Sequence, residues 1–169
     1  EFLRIMYRRI EEQAREKNTY SQLRFLLRFS RMIPVMSFRR MLFRSLHHSI
    51  GWKMHTVVSG GAALDKEVGD FWEATGIHIL QGYGLTETSP ALAATRYNDR
   101  DLTSVGKPIL NVDIRIAADG EILAKGPNIF AGYWKNTKET KKAFNREGWF
   151  QTGDIGEFDK RGNLHIKGR

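Results

Sequence analysis

Seven consecutive residues, Gln81-Gly82-Tyr83-Gly84-Leu85-Thr86-Glu87, put an aromatic ring, a hydroxyl and a carboxylate beside two glycines. The Tyr83 ring could stack on a nucleobase. The Thr86 hydroxyl could donate to a phosphate, and the Glu87 carboxylate could hold Mg²⁺ beside that phosphate. Gly82 and Gly84 would let the backbone turn sharply or let another group come close. The same seven residues could equally be the plain surface of a Gly-rich strand end, because motifs this short recur by chance.

Such residues need a scaffold, and the flanking sequence supplies one. The apolar run 77–80 reads as a short buried strand leading into the glycines. Upstream, residues 55–59 read as another buried strand, closed by Gly60-Gly61-Ala62. Between them, Leu64, Val68, Phe71 and Trp72 fall on one helical face. Asp65 near that helix's start suits its dipole, and Gly76 ends it. The unit is β-α-β, with parallel strands and a right-handed crossover. Both glycine turns then lie at the carboxyl ends of neighbouring strands, where open α/β sheets bind ligands.

After Pro90 the pattern changes. Val112, Ile114 and Ile116 alternate along residues 111–117, Asp119-Gly120 makes a hairpin turn, and residues 121–125 return. Asn136 and Glu139 form a capping-box-like start to a helix that ends near Phe144. Residues 155–158 and 164–167 make a second hairpin across 159–162. The fold class expected is α/β: a partial doubly wound β-α-β layer, preceded by amphipathic helices and followed by a small antiparallel β-rich module. The expected divisions are residues 1–54, 55–102 and 103–169.

The 169 residues suffice for one domain with a sizeable core, and they carry a net charge of +8. Residues 1–55 hold 12 Lys and Arg against 4 Asp and Glu, whereas residues 56–169 hold 15 of each. The imbalance therefore sits in the first third. Apolar residues recur there at helical spacing: Leu3, Ile5, Met6, Ile10 and Ala14; then Leu23, Leu26, Leu27 and Phe29, stopped by Pro34; then Phe38, Met41, Leu42 and Leu46 over residues 35–50. One use for such basic amphipathic helices is peripheral contact with an anionic membrane. The other, the ordinary role of an amphipathic helix, is a layer packed on the rest of the protein with arginine stems lying along apolar surface. No nucleic-acid motif occurs. His47 and His48 are adjacent, so on a helix they diverge and make a poor metal pair. Cysteine is absent, which excludes disulfides and thiolate metal sites and fits a cytoplasmic protein. No apolar run is long enough to cross a bilayer, and no signal peptide is seen.

Five stretches follow one another in order: VVSGGAALDKEV, ILQGYGLTETSP, SVGKP, GEILAKGPNIFAGYWKN and GWFQTGDIGEFDKRGNLHIKGR. They cover most of residues 56–169. Together they resemble the adenylate-forming superfamily, and within it the long-chain fatty acid CoA ligases, whose helical insertion the first third also resembles. The resemblance implies two steps. A fatty acid carboxylate attacks the α-phosphate of ATP to give acyl-adenylate and pyrophosphate, and the thiol of CoA then displaces AMP. It implies ATP/AMP, Mg²⁺ and CoA as ligands and gives residues roles by motif. Tyr83 would stack on adenine, with Gln81, Gly82 and Gly84 in the same nucleotide-binding strand end. Gly60, Gly61 and Ala62 would line the nucleotide and acyl pocket. Thr86 would donate to phosphate, Glu87 would bind Mg²⁺, Asp154 would accept from the ribose hydroxyls, and Arg169 would contact ribose or phosphate.

Each has a plainer role open to it: Tyr83 in a core, Asp154 in a turn after Gly153, Arg169 as a solvated charge. The family's Ser/Thr/Gly-rich phosphate loop ending in Lys-Gly is not in this sequence, nor is the mobile domain with its adenylation lysine. The sequence starts at Glu1 rather than Met and stops inside a motif, so it is expected to be a fragment, inactive alone, of an enzyme. An adenylate-forming enzyme with another acceptor would use the same residues. A non-catalytic, membrane-associating module is the reading from a different class.

Overall fold

The basic first third is helical in the computed structural model, which describes residues 1–169. Its helices are α1 (Phe2–Glu16), α2 (Tyr20–Arg31), α3 (Met36–Leu42) and α4 (Arg44–Ile50). The helix expected over 35–50 is thus two, broken at Phe43, whose backbone (φ −103°, ψ 32°) leaves the helical region. Neither glycine nor proline marks that break. No helix is long and apolar enough to cross a membrane.

The chain packs as two compact units: Glu1–Val57 with Leu64–Ile79, and Val58–Ala63 with Leu80–Arg169. In the first unit, α5 (Lys66–Ala74) is the hub. Its Val68, Phe71 and Trp72 are buried, as are Leu3 and Tyr7 of α1 and Leu27 of α2. Polar groups are paired where helices meet. Trp72 Nε1 donates to Leu3 O (3.2 Å), Tyr7 Oη to Glu67 Oε1 (3.0 Å) and Ser30 Oγ to Ala74 O (2.5 Å). Two arginines of the basic segment work inside this layer. Arg39 donates to Ile33 O (2.7 Å) and Glu73 O (3.0 Å), while the buried Arg40 donates to Met54 O (2.7 Å) and to Trp52 O. Guanidinium donors thus tie the loop carbonyls of Ile33, Trp52 and Met54, and Glu73 O near the end of α5, into the layer.

His47 is fully buried on α4, and its Nε2 lies 2.7 Å from Thr75 O. A carbonyl only accepts, so Nε2 carries the proton and the neutral ring is satisfied there. Burial, reinforced by the Arg40 and His55 charges, holds its pKa below the ordinary 6.5. The unfolded chain therefore binds a proton at pH values where the folded one does not. Stability must fall as pH drops below about 6.5 and go on falling until the folded ring protonates. Thermal unfolding from pH 8 to 5 should show this loss, with a flatter profile in His47→Gln. Parallel profiles would clear His47 of the effect.

β1 (Thr56–Ser59), β2 (His78–Tyr83), β3 (Ala93–Ala94) and β4 (Lys107–Pro108) form one sheet in that order. Two expectations are corrected here. β1 is an edge strand with one flank unpaired, and its Val58 is 72% exposed, so it is not buried. β2 does not end at residue 80. It runs on through Gly82, which pairs with Ala94, to Tyr83, which pairs with Ala93. The ladder to β3 keeps the strand extended despite the glycine.

The second sheet is antiparallel: β5 (Asp113–Ile116), β6 (Glu121–Lys125), β7 (Phe150–Phe158) and β8 (Leu164–Gly168). Gly120, at φ +89°, makes the β5–β6 turn. Asn136 caps α6 (Thr137–Ala143) by accepting from Glu139 N at 3.2 Å. β7 is nine residues long and takes in Thr152-Gly153-Asp154, which the sequence placed ahead of a shorter strand. Phe150, Ala124, Val112 and Leu92 form one buried cluster, and Ala93, Ile122 and Leu164 another. Tyr83 packs against both.

Candidate functional site

The site grows out of the end of β2, within the second unit. Leu92 N donates to Tyr83 O (2.7 Å), folding the following loop back on the strand. Gly84 allows the fold-back. A Cβ there would stand 2.0 Å from Pro90 O, closer than real atoms approach. Beyond it, Thr88 Oγ1 accepts from Leu85 N and donates to Leu85 O, both at 2.9 Å, and holds a 3₁₀ turn over Thr86–Thr88. This turn presents Thr86 and Glu87 outward, and the Thr86 hydroxyl makes no hydrogen bond.

A cavity of about 610 Å³ opens here. Gly60, Gly61, Gly82, Tyr83, Gly84, Thr86, Glu87 and Arg169 all line it, with Val58, Leu85, Pro90 and Ala91. Gly61 has φ +79°, a conformation that suits glycine. Residues from sequence positions 60, 84 and 169 thus meet around one space.

Ala62, Gln81 and Asp154 do not line it. Ala62 is exposed elsewhere. Gln81 is buried, and its Nε2 donates to Leu102 O (2.9 Å) and Ser104 O (3.0 Å), tying β2 to the following loop. Asp154 sits behind Tyr83, buried to 9% exposure. Its Oδ2 accepts from the Tyr83 hydroxyl at 2.8 Å, and its Oδ1 is 3.5 Å from Arg169 Nε. Burial, aided by the Asp154 carboxylate and opposed by Thr152, pushes the Tyr83 phenol well above its ordinary pKa. It therefore stays a protonated donor, and the ring is pinned at its far end.

Two further residues belong to this neighbourhood. Tyr133 Oη donates to Glu87 Oε1 at 2.9 Å. Asn128 Nδ2 donates to Thr88 O (2.8 Å) and Ala91 O (2.7 Å). Sequence reasoning missed both. Tyr133 stands 46 positions from Glu87, and nothing in its type or spacing marks the contact.

Strand-end glycines, a ring, a hydroxyl and a carboxylate thus surround one cavity, groups of the kind an AMP-binding enzyme would need for its nucleotide. Residues 4–134 match the model of that family, the AMP-binding enzymes, and the chain belongs to it. Among its relatives, the long-chain-fatty-acid–CoA ligase FadD15 of Mycobacterium bovis is 44% identical over 132 residues, covering 78% of this chain and 22% of that protein. The 2-succinylbenzoate–CoA ligase of Listeria innocua is 40% identical over 115 residues, 67% of this chain and 24% of that protein. The crystal structure of apo MatB from Rhodopseudomonas palustris superposes with a TM-score of 0.63 at 38% identity, over 68% of this chain and 25% of that one. The chain spans about a quarter or less of the length of these relatives.

Proposed function

We propose that this chain carries part of the nucleotide site of an acid–thiol ligase, one that joins a long-chain fatty acid to CoA through an acyl-adenylate. The observation that carries the reading is the cavity that gathers Gly60, Gly61, Tyr83, Thr86, Glu87 and Arg169, with Asp154 bonded behind Tyr83. A fatty acid as substrate is supported by the relative named for that acid, and CoA as acceptor by both named ligases.

Adenylation brings two anions together, so the protein must neutralise charge and hold the reactants in line. In this reading Tyr83, held by its hydroxyl, offers its ring to adenine. Thr86 Oγ1 is unengaged and can donate to phosphate, and Arg169 adds positive charge at the rim. Mg²⁺ fits the donor set: Glu87 Oε2 is unbonded, and a hard oxygen from one carboxylate is the usual protein share of its shell. When bound, the ion would neutralise phosphate charge as it develops.

Asp154 gives the test. Its carboxylate is proposed to take the ribose hydroxyls by charge-assisted bonds worth about 1.5–3 kcal/mol each. In the enzyme that carries this chain, Asp154→Ala should weaken ATP binding at least about tenfold, equivalent to about 1.4 kcal/mol. The loss should be much smaller for a 2′,3′-dideoxy analogue. Calorimetric titration of both nucleotides measures it, with Tyr83→Phe alongside, since Asp154 also tethers that ring. Equal losses for the two nucleotides would mean that Asp154 acts by holding Tyr83, and its ribose role would be withdrawn.

A further inference from the structure

The loop Glu87 stands on is strapped down from outside. Residues 126–133 run beside it and are joined to it at every level. Asn128 Nδ2 donates to Thr88 O and Ala91 O, Phe130 N donates to Glu87 O at 2.8 Å, and Tyr133 Oη donates to Glu87 Oε1. The strap is itself fixed. The Phe130 and Tyr133 rings meet edge to face at 4.8 Å, and Phe130 stacks on Phe144. Tyr133 N donates to Thr140 Oγ1 at 2.9 Å, beside Gly132, where a Cβ would strike the Thr140 side chain. The Tyr133 hydroxyl is thus delivered by a braced backbone to one oxygen of one carboxylate.

From this geometry we infer that Tyr133 is a positioning residue for the metal: it fixes the Glu87 carboxylate so that Oε2 faces a divalent cation in the cavity. The inference rests on the reading of Glu87 as the Mg²⁺ ligand. A carboxylate on a free side chain must lose rotamer freedom when it binds an ion. A hydrogen bond to its other oxygen removes that freedom beforehand, and such outer partners typically account for about 10–100-fold in metal affinity.

Tyr133→Phe removes the donor and keeps the ring against Phe130. The enzyme that carries this chain would be titrated with Mn²⁺ in the presence of a non-hydrolysable ATP analogue, with free Mn²⁺ read by electron paramagnetic resonance. Analogue binding without metal would be measured in parallel. Tyr133→Phe is expected to weaken Mn²⁺ binding at least about tenfold and to leave metal-free analogue binding unchanged. Glu87→Gln should weaken Mn²⁺ binding at least as much, and the double variant should be no worse than Glu87→Gln alone, since the two act as one unit. If Glu87→Gln loses Mn²⁺ and Tyr133→Phe does not, the positioning role is overturned while the metal role of Glu87 stands. If neither variant changes Mn²⁺ binding, Glu87 is not the ligand and both readings fall. A parallel loss of metal-free analogue binding in Tyr133→Phe would show that the strap merely supports the loop, and would also overturn the inference.

Discussion

Gly84→Ala is expected to reduce nucleotide binding by at least about tenfold, equivalent to about 1.4 kcal/mol. The added methyl would sit 2.0 Å from Pro90 O and 2.8 Å from Ala91 Cα, both backbone atoms with no flexible end to give way. The loop after Gly84 must therefore retreat by about 1 Å to bring the contact with Pro90 O to 3.0 Å. Thr86 and Glu87 ride on that loop, whereas Tyr83 stays in the β2–β3 ladder. The ring and the phosphate-facing groups would no longer address one ligand. Gly148→Ala is the control. It has φ +77° but open space around it, so it should cost only about 1 kcal/mol of stability and leave nucleotide binding intact. Fluorescence titration with a nucleotide analogue compares the two. Wild-type affinity in Gly84→Ala would show that the loop carries none of the site.

Trp72→Ala is expected to cost about 3–5 kcal/mol, the range for emptying a large aromatic from a core. Trp72 is 1% exposed, packs edge to face on Phe71 at 5.2 Å, and ends in a hydrogen bond to Leu3 O. Alanine would leave a cavity at the hub of the first unit and remove the hydrogen bond that ties α5 to α1. Domains hold only about 5–15 kcal/mol in total, so the loss is a large part of the reserve. Urea unfolding would register it as a lower midpoint. A shift equivalent to less than about 1 kcal/mol would mean that α1 and α2 hold together without α5 as their hub.

The amino-acid sequence by itself determined what depends on neighbours along the chain. The helical spacing of Leu3, Met6, Ile10 and Ala14 made α1, although Ile5, read with them, is exposed and the buried Tyr7 was not among them, and the Asn136 side chain placed the start of α6. Asp119-Gly120 made a turn, since Gly120 takes φ +89° without strain. These are local preferences, and each acts within one or two turns of backbone. The order of five short motifs was also legible; of the residues it marked, Gly60, Gly61, Gly82, Tyr83, Gly84, Thr86, Glu87 and Arg169 line the cavity, whereas Ala62, Gln81 and Asp154 do not. Tertiary structure decided whatever depends on which segment lies beside which. Val58 is exposed because β1 ends the sheet, and the same apolar residue in a central strand would be buried. Gly82 stays in the strand because Ala94 pairs with it. Gln81 turned out to be a brace for the 102–104 loop. Asp154 reaches Tyr83 across 71 positions, and Tyr133 reaches Glu87 across 46. A hydrogen bond acts over about 3 Å, whereas periodicity reports only on residues a few places apart. Sheet register and loop path bring such pairs together, so these contacts become visible only when the chain is folded.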